Sequence, residues 1–174
     1  IYGDGLVTVE SSLDKAFFGC NEIQRFGLMA ELPSDFNIVE FYGRGSQEKM
    51  ENLCDLKDHA YMGIWRTTVE DMHEPYVMPQ DNGNCGGVKW LKLMNSNGNT
   101  FTVFGVPKFS FSAHNYTHKA LHRAKHQEEL VFSDTTVLCV DGFMRGTGTN
   151  TCGPDTLDKY KVKTDKTLTF RFAF

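Results

Sequence analysis

Four histidines, His114, His118, His122 and His126, recur every four residues. On a continuous helix, imidazoles at i and i+4 share a face and could chelate Zn²⁺ or Ni²⁺. The helical pattern begins only at Tyr116, so His118 and His122 are the pair that would share such a face. No H-E-x-x-H accompanies them, and no cysteine or carboxylate stands at a convincing third position. Surface histidines on a short solvated helix are the simpler reading, and a His118/His122 metal pair is the alternative. The Gly-rich run Gly142–Pro154 invites a phosphate reading but lacks both the Lys-Ser/Thr and the following helix of a P-loop. A dinucleotide fingerprint fails for the same want of a helix after Gly148. On spacing alone it is a structural loop at one end of a sheet, where Gly and Asn permit positive φ and close approach.

The remaining chemistry-bearing residues are equally sparing. Glu128-Glu129 reads as a solvated strand start, and Asp141 as an organiser of the turn before the Gly-rich run. Cys152 has no patterned histidine to activate it. Spacing assigns no catalytic residue. The five cysteines, Cys20, Cys54, Cys85, Cys139 and Cys152, are odd in number and contain no C-x-x-C pair. Zinc ribbon, redox dithiol and disulfide scaffold therefore give way to reduced thiols in a cytoplasmic parent. Asn115-Tyr116-Thr117 fits a glycosylation acceptor, which matters only on a eukaryotic secretory route.

The chain that must position these groups has 174 residues, with 18 Lys and Arg against 22 Asp and Glu, a formal charge of −4. That balance argues against a nucleic-acid partner. No window reaches the roughly 18 consecutive apolar residues of a spanning helix, so no membrane partner is expected. Hydrophobic residues at 40% and aromatics at 13% suffice for a core. The opening Ile1-Tyr2-Gly3-Asp4-Gly5, without Met, suggests a piece of something longer. No linker or repeat divides residues 1–174, which are read as one domain.

Strand signals dominate. Leu6–Ser12 is β-branched after Asp4-Gly5. Phe26–Leu32 and Phe36–Tyr42 flank Pro33-Ser34-Asp35, a turn predicted with Pro at its first central position. Val88–Met94 and Thr100–Val106 form a hairpin across Asn95-Ser96-Asn97-Gly98-Asn99. Lys108–Ala113 alternates, with Phe109 and Phe111 on one side, and Leu130–Ser133 and Thr135–Val140 flank a turn. Thr167–Phe174 places Leu168, Phe170, Phe172 and Phe174 on one face, the mark of a half-buried antiparallel strand. One helix is predicted near Tyr116–Ala124, with Thr117 as N-cap and Leu121 inward. Glu48–Asp58 is ambiguous. The fold class is all-β, an antiparallel β-sandwich with at most one or two short helices.

Four segments carry a resemblance. Tyr42-Gly43-Arg44-Gly45 with Glu48 is similar to a Y-G-R-G-P-x-E element. Pro75-Tyr76-Val77-Met78-Pro79-Gln80-Asp81-Asn82-Gly83 is similar to P-Y-V-x-P-Q-E-N-G. Phe111-Ser112 through Tyr116-Thr117, Leu121, Ala124, His126 and Leu130 keep a third spacing. Asp141, Met144, Gly146, Gly148, Cys152, Gly153 and Pro154 resemble D-x-x-M-x-G-x-G-x-x-S-C-G-P. In this order they resemble the C-terminal domain of lacZ-type bacterial β-galactosidases, glycoside hydrolase family 2. The chain departs at Ser46–Leu53, where relatives read P-x-E-N-Y-x-D-R.

The resemblance implies the later portion of a supersandwich shared with galactose mutarotase. It implies an enzyme that hydrolyses terminal β-D-galactosides such as lactose, with acid/base and nucleophile glutamates on a central (β/α)₈ barrel. This segment would then be scaffold, without catalytic residues. A loop with Gly148, Thr149, Asn150 and Cys152 would lie beside the substrate, Cys152 standing where some relatives carry a sugar-packing tryptophan. The implied partners are the barrel domain, the galactoside and further copies of the enzyme. No cofactor is implied in the segment itself, Mg²⁺ and Na⁺ being held by other domains of the parent. The implied location is cytoplasmic, with the periplasm as the other choice. A non-catalytic carbohydrate-binding module, or a small subunit pairing with a separate catalytic chain, is the alternative. A mutarotase-like epimerase is a third. A sandwich missing its first strands would leave sheet edges open, so self-association of the isolated piece is expected.

Overall fold

A computed structural model describes residues 3, 5–15, 19–45, 61–145 and 155–174. Ten strands and one helix are present among them: β1 Thr8–Leu13, β2 Glu22–Ile23, β3 Arg25–Pro33, β4 Ile38–Gly45, β5 Tyr61–Thr68, β6 Cys85–Met94, β7 Thr100–His114, α1 His118–Arg123, β8 Thr135–Met144, β9 Val162–Lys163 and β10 Leu168–Ala173. The fold is all-β and antiparallel, as the alternation predicts, and sandwich-like. Strands run β1-β10-β7-β6-β4-β5 across the large sheet, and a branch β3-β8 also joins β7. β2 and β9 make a small separate ladder.

The branch is built on β7. Its residues Phe104–Val106 pair with β10, while Ser110–His114 pair with β8. Opposite β6, Trp90 faces Phe104 but Val88 faces Phe109, so five steps of β7 stand against two of β6. Residues 105–108, three more than the single Lys89 opposite them, bulge out of the β6 ladder. Gly105 permits this, because a Cβ there would lie 2.6 Å from the Lys108 Cα. Beyond the bulge β10 leans over β8, and a Cβ on Gly142 would meet the Phe170 ring at 2.2 Å.

Between the layers lies the core, with Val39, Phe41, Val88, Leu91, Leu93 and Phe111 fully buried at its centre. Phe41 and Phe111 meet edge-to-face at 5.0 Å, and Phe170 meets Phe26 the same way at 5.2 Å. β4 alternates strictly between buried and half-buried positions, the signature of one packed face.

Several sequence expectations are corrected. Thr100–Val106 and Lys108–Ala113 belong to one strand. Leu130–Ser133 is irregular, and Glu128-Glu129 sits in a 3₁₀ turn, Gln127–Glu129, rather than at a strand start. The turn after β3 closes from Phe36 N–H to Pro33 O at 3.0 Å, so Ser34 and Asp35 are its central residues and Pro33 precedes them. Phe174 is 41% exposed although Leu168, Phe170 and Phe172 are buried. β5 was not anticipated: Met62 and Ile64 point outward while Gly63 and Trp65 point in, inverting the expected pattern. Glu48–Asp58 lies outside the described residues.

The hairpin 95–99 and the helix follow the sequence reading. Asn95 Oδ1 accepts from the N–H groups of Asn97 and Asn99, and Gly98 takes φ +84°. Thr117 caps α1 by accepting from Ala120 N–H at 3.1 Å, and Leu121 is buried. β1, β3 and β5 each have one ladder partner among the described residues, which leaves three open edges.

The layer assignment makes a direct test. Phe41→Ala should lower the urea-derived unfolding free energy by about 3–5 kcal/mol. Ile64→Ala, on the opposite face, should stay within about 0.5 kcal/mol. Equal losses at the two positions would mean that the buried face has been misassigned.

Candidate functional site

The loop residues singled out by sequence, Gly148, Thr149, Asn150 and Cys152, lie outside the described residues. Its two ends are described, and charge ties them together. Arg145, following β8, pairs through Nη2 with Asp155 Oδ1 and through Nη1 with Glu22 Oε1 at 3.4 Å. Lys161 Nζ meets Asp155 Oδ2 at 3.0 Å, Asp158 Oδ1 at 3.4 Å and Glu22 Oε2 at 3.8 Å. The Arg145 N–H donates to Gln24 O at 2.8 Å, and Thr156 N–H to Asp155 Oδ1 at 2.8 Å. The Lys161 hydrogen bond, the Thr156 N–H and the charge of Arg145 hold the Asp155 carboxyl below its usual range. Single exposed pairs of this kind contribute little, but a shared network restricts both ends of a loop at once.

Below this network the first correction to the site appears. Asp141 is not a turn organiser; it is a buried residue of β8 opposite Gly27 of β3. Arg25 grips it with a fork, Nη2 to Oδ2 at 2.5 Å and Nε to Oδ1 at 3.3 Å. A Cβ on Gly27 would fall 2.2 Å from Asp141 Oδ1 and 2.4 Å from the Val140 carbonyl, so the missing side chain is what admits the carboxylate. Burial pushes the Asp141 carboxyl above its ordinary range against the pull of Arg25. Burial also opposes the Arg25 charge, but the attraction and hydrogen bonds of Asp141, helped by Asp81, outweigh it and hold that group raised. The two directions disagree on the cost of the pair, and the formed fork decides for both groups being charged at neutral pH.

His118 completes this cluster. Arg25 Nη1 lies 2.7 Å from His118 Nε2. Burial and then the neighbouring guanidinium lower the imidazole pKa, so the neutral ring accepts this hydrogen bond. That nitrogen is engaged by the guanidinium in this arrangement. His122 is exposed, and no group of three metal-ligating side chains occurs among the described residues. His114 belongs to β7 and His126 precedes the 3₁₀ turn, so the four-residue spacing is not one helical face. Cys139 Sγ lies 3.9 Å from His118 Nε2, and burial pushes its thiol up to about 11, far from a thiolate nucleophile at neutral pH.

The long segment 75–83 exposes Val77 and Met78 but ends in a buried polar knot at Asn82. Asn82 accepts from Glu74 N–H at 3.0 Å and donates through Nδ2 to Gln80 O at 2.9 Å and the Tyr116 hydroxyl at 3.1 Å. Its carbonyl faces His114 Nε2 at 2.9 Å. The His114 ring stacks on Tyr116 with centroids 4.7 Å apart and 9° between planes. Gly83, at φ +69°, leaves room for the Met72 carbonyl and His114. Gln127 Nε2 donates to Tyr76 O, tying the segment to the 3₁₀ turn. Burial lowers the His114 pKa to about 4 and raises that of Tyr116 to about 12. At neutral pH the His114 ring and the Tyr116 hydroxyl are therefore uncharged members of one packed, hydrogen-bonded set.

Sequence reasoning missed Arg25, the Asp141 partner 116 positions away. The one local signal was a glycine inside a strand, at Gly27. Around Gly43 and Gly45 the same device recurs: Trp65 packs where a Gly45 Cβ would be, at 2.7 Å, and its indole N–H donates to Gly43 O at 3.3 Å.

Comparison with known proteins adds what geometry alone cannot. The family described as beta galactosidase small chain matches residues 1–174. The chain is 38% identical over 162 residues to a beta-galactosidase of Actinobacillus pleuropneumoniae, covering 93% of this chain and 15% of that protein. It is 31% identical over 176 residues to a beta-galactosidase of Halalkalibacterium halodurans, covering 99% of the chain and 17% of the relative. For a Vibrio cholerae beta-galactosidase the identity is 32% over 151 residues, covering 85% and 13%. The chain thus spans about one-sixth of the length of these relatives.

Two outcomes follow from the buried polar groups. Asp141→Asn, which strands the Arg25 charge, should cost about 3–5 kcal/mol in denaturant unfolding. Gly27→Ala should cost a comparable amount, and a loss under about 1 kcal/mol in both would show the pair to be dispensable. His114 makes a pH prediction: unfolded it takes up a proton near 6.5, folded only near 4. Its contribution, about 3 kcal/mol, is complete above pH 6.5 and is lost as pH falls toward 4. An NMR titration should find the His114 ring neutral at pH 5 in the folded protein.

Proposed function

The chain belongs to the beta-galactosidase small-chain family, and from that premise we propose that it is the sandwich portion of a lacZ-type β-galactosidase that walls the sugar site. Bond cleavage is left to another domain. In this reading the parent hydrolyses terminal β-D-galactosides such as lactose by the retaining route of glycoside hydrolase family 2. Two glutamates on a (β/α)₈ barrel would do that chemistry, one protonating the leaving oxygen and the other attacking the sugar.

The single observation that carries the reading is the family match over residues 1–174 of a chain covering only about one-sixth of its full relatives. The geometry supports a positioning role: Asp141, Arg25, His114, Tyr116 and Asn82 are committed to one another. The Arg145–Asp155 and Lys161–Asp155 contacts clamp the two ends of the segment with Gly148, Thr149, Asn150 and Cys152. A loop held at its base can lend a fixed side chain to a neighbouring pocket without the entropic cost of ordering it on binding.

The parent acts as a homo-oligomer in the cytoplasm, and any Mg²⁺ or Na⁺ it uses is held by its other domains. Among the described residues no helix is long and apolar enough to cross a membrane. The family description, which speaks of a small chain, favours one second reading: a separate small subunit that pairs with a catalytic chain. An upstream barrel in the same reading frame selects the first reading, and a start codon just ahead of this domain selects the second.

The test is made in the enzyme that contains this chain. Cys152→Trp, which adds an apolar platform for the sugar's C–H face, should change KM for a chromogenic galactoside, or the acceptor preference, with the thermal midpoint intact. Unaltered kinetics would take the loop away from the sugar. The isolated 174-residue chain should not hydrolyse the same galactoside, and turnover by it would end the proposal.

A further inference from the structure

Two irregular segments place four large apolar side chains in solvent. Val77 is 86% exposed and Met78 66%, and on the other segment Val131 is 71% exposed and Phe132 60%. The segments lie side by side around Tyr116. Gln127 Nε2 donates to Tyr76 O, the Phe132 ring meets Tyr116 with centroids 5.9 Å apart, and His73 meets Phe132 at 6.5 Å. The backbone beneath them is anchored, because Asn82 ties the end of segment 75–83 to Gln80, Tyr116 and His114. An anchored apolar cluster on the order of a few hundred Å² is the mark of an interaction surface. Its charge has one sign: residues 70–84 and 127–134 hold seven carboxylates and no Lys or Arg. Five of these acids, Glu70, Asp71, Glu128, Glu129 and Asp134, are exposed.

We infer that this surface seats another domain of the parent polypeptide, one that presents an apolar patch edged by Lys or Arg. Aromatic and Met side chains at the centre with charge at the rim are the anatomy of a protein interface, and a rim of opposite sign orients the partner. Size selects the occupant. A lasting contact between two copies needs about 800 Å² from each side, and four side chains fall short of that. A domain on the same polypeptide is held at high effective concentration and docks on less. The relatives carry about five-sixths of their length outside the region this chain matches. Position points the same way. Arg25 Nη1 lies 3.8 Å from Asp81 Oδ2 in segment 75–83, and the neighbouring Gln24 O accepts from Arg145 N–H at 2.8 Å. The surface thus leads through Arg25 and Gln24 to the clamp on segment 146–154. In that respect the inference rests on the proposed function: the domain seated here is the one that bears the sugar site.

The test uses the enzyme that contains the chain, with a photo-crosslinking benzophenone side chain placed at position 77 or at position 132, both exposed enough to accept it. Irradiation and peptide mass spectrometry should join each position to a peptide outside residues 1–174 that contains or adjoins Lys or Arg. The product should run on a denaturing gel at the mass of a single polypeptide. Charge reversal of the rim, in Glu70→Lys and in Glu128→Lys, should lower the yield several-fold. The inference is overturned by a link to a second copy, by links confined to residues 1–174, by no link, or by a yield that both reversals leave unchanged. A heavier band holding a separate catalytic chain overturns it in favour of the small-subunit reading. Unaltered Cys152→Trp kinetics beside an intact crosslink would remove the loop from the sugar and leave this surface standing, so the two failures are told apart.

Discussion

The fold rests on the hydrogen-bonding capacity of one edge of β7. A strand edge has a single row of N–H and C=O groups to share, and here Phe104–Val106 give theirs to β10 while Ser110–His114 give theirs to β8. Two strands cannot occupy one edge in the same plane, so they must diverge. Residues 105–108 absorb the divergence as a bulge, which also strengthens local twist. Once β10 leans across β8, Phe170 needs the space over Gly142, and the Phe26–Phe170 edge contact closes the layer. Core packing and the branch both descend from that division.

Buried polarity is handled by pairing rather than avoidance. The Arg25–Asp141 fork, opened by Gly27, crosses between β3 and β8, and the Asn82–Tyr116–His114 knot fastens segment 75–83 to the end of β7. Breaking one member of such a set strands the others, so their worth lies in specifying a single arrangement. These residues include much of what gave the sequence its family resemblance. In this structure their side chains are engaged with one another and hold segment 75–83 and strands β3 and β8 in register.

Surface charge is paired in the same way. Glu22, Asp155 and Asp158 brace the ends of segment 146–154 through Arg145 and Lys161.

Local physics made much of this legible in sequence. Alternation exposed β10 and the second half of β7, Asn95 and Gly98 announced the hairpin, and Thr117 marked the helix start, because each depends on neighbours within a few residues. Other readings failed for a common reason. Four evenly spaced histidines leave only His118 and His122 on one helix, as the helix start near Tyr116 implies, yet His118 turns inward to Arg25. Asp141 beside a Gly-rich run suggested a turn, yet its partner Arg25 lies 116 residues earlier. β5 is an edge strand whose outward Met62 and Ile64 hide its inner face of Gly63 and Trp65. The amino-acid order by itself determined the strand-rich class, the hairpin, the helix cap and the family. Which strands share β7 and which charge meets which were decided only in three dimensions, because ladder pairing and Coulomb contacts are set by proximity across the sheet and leave no period along the chain.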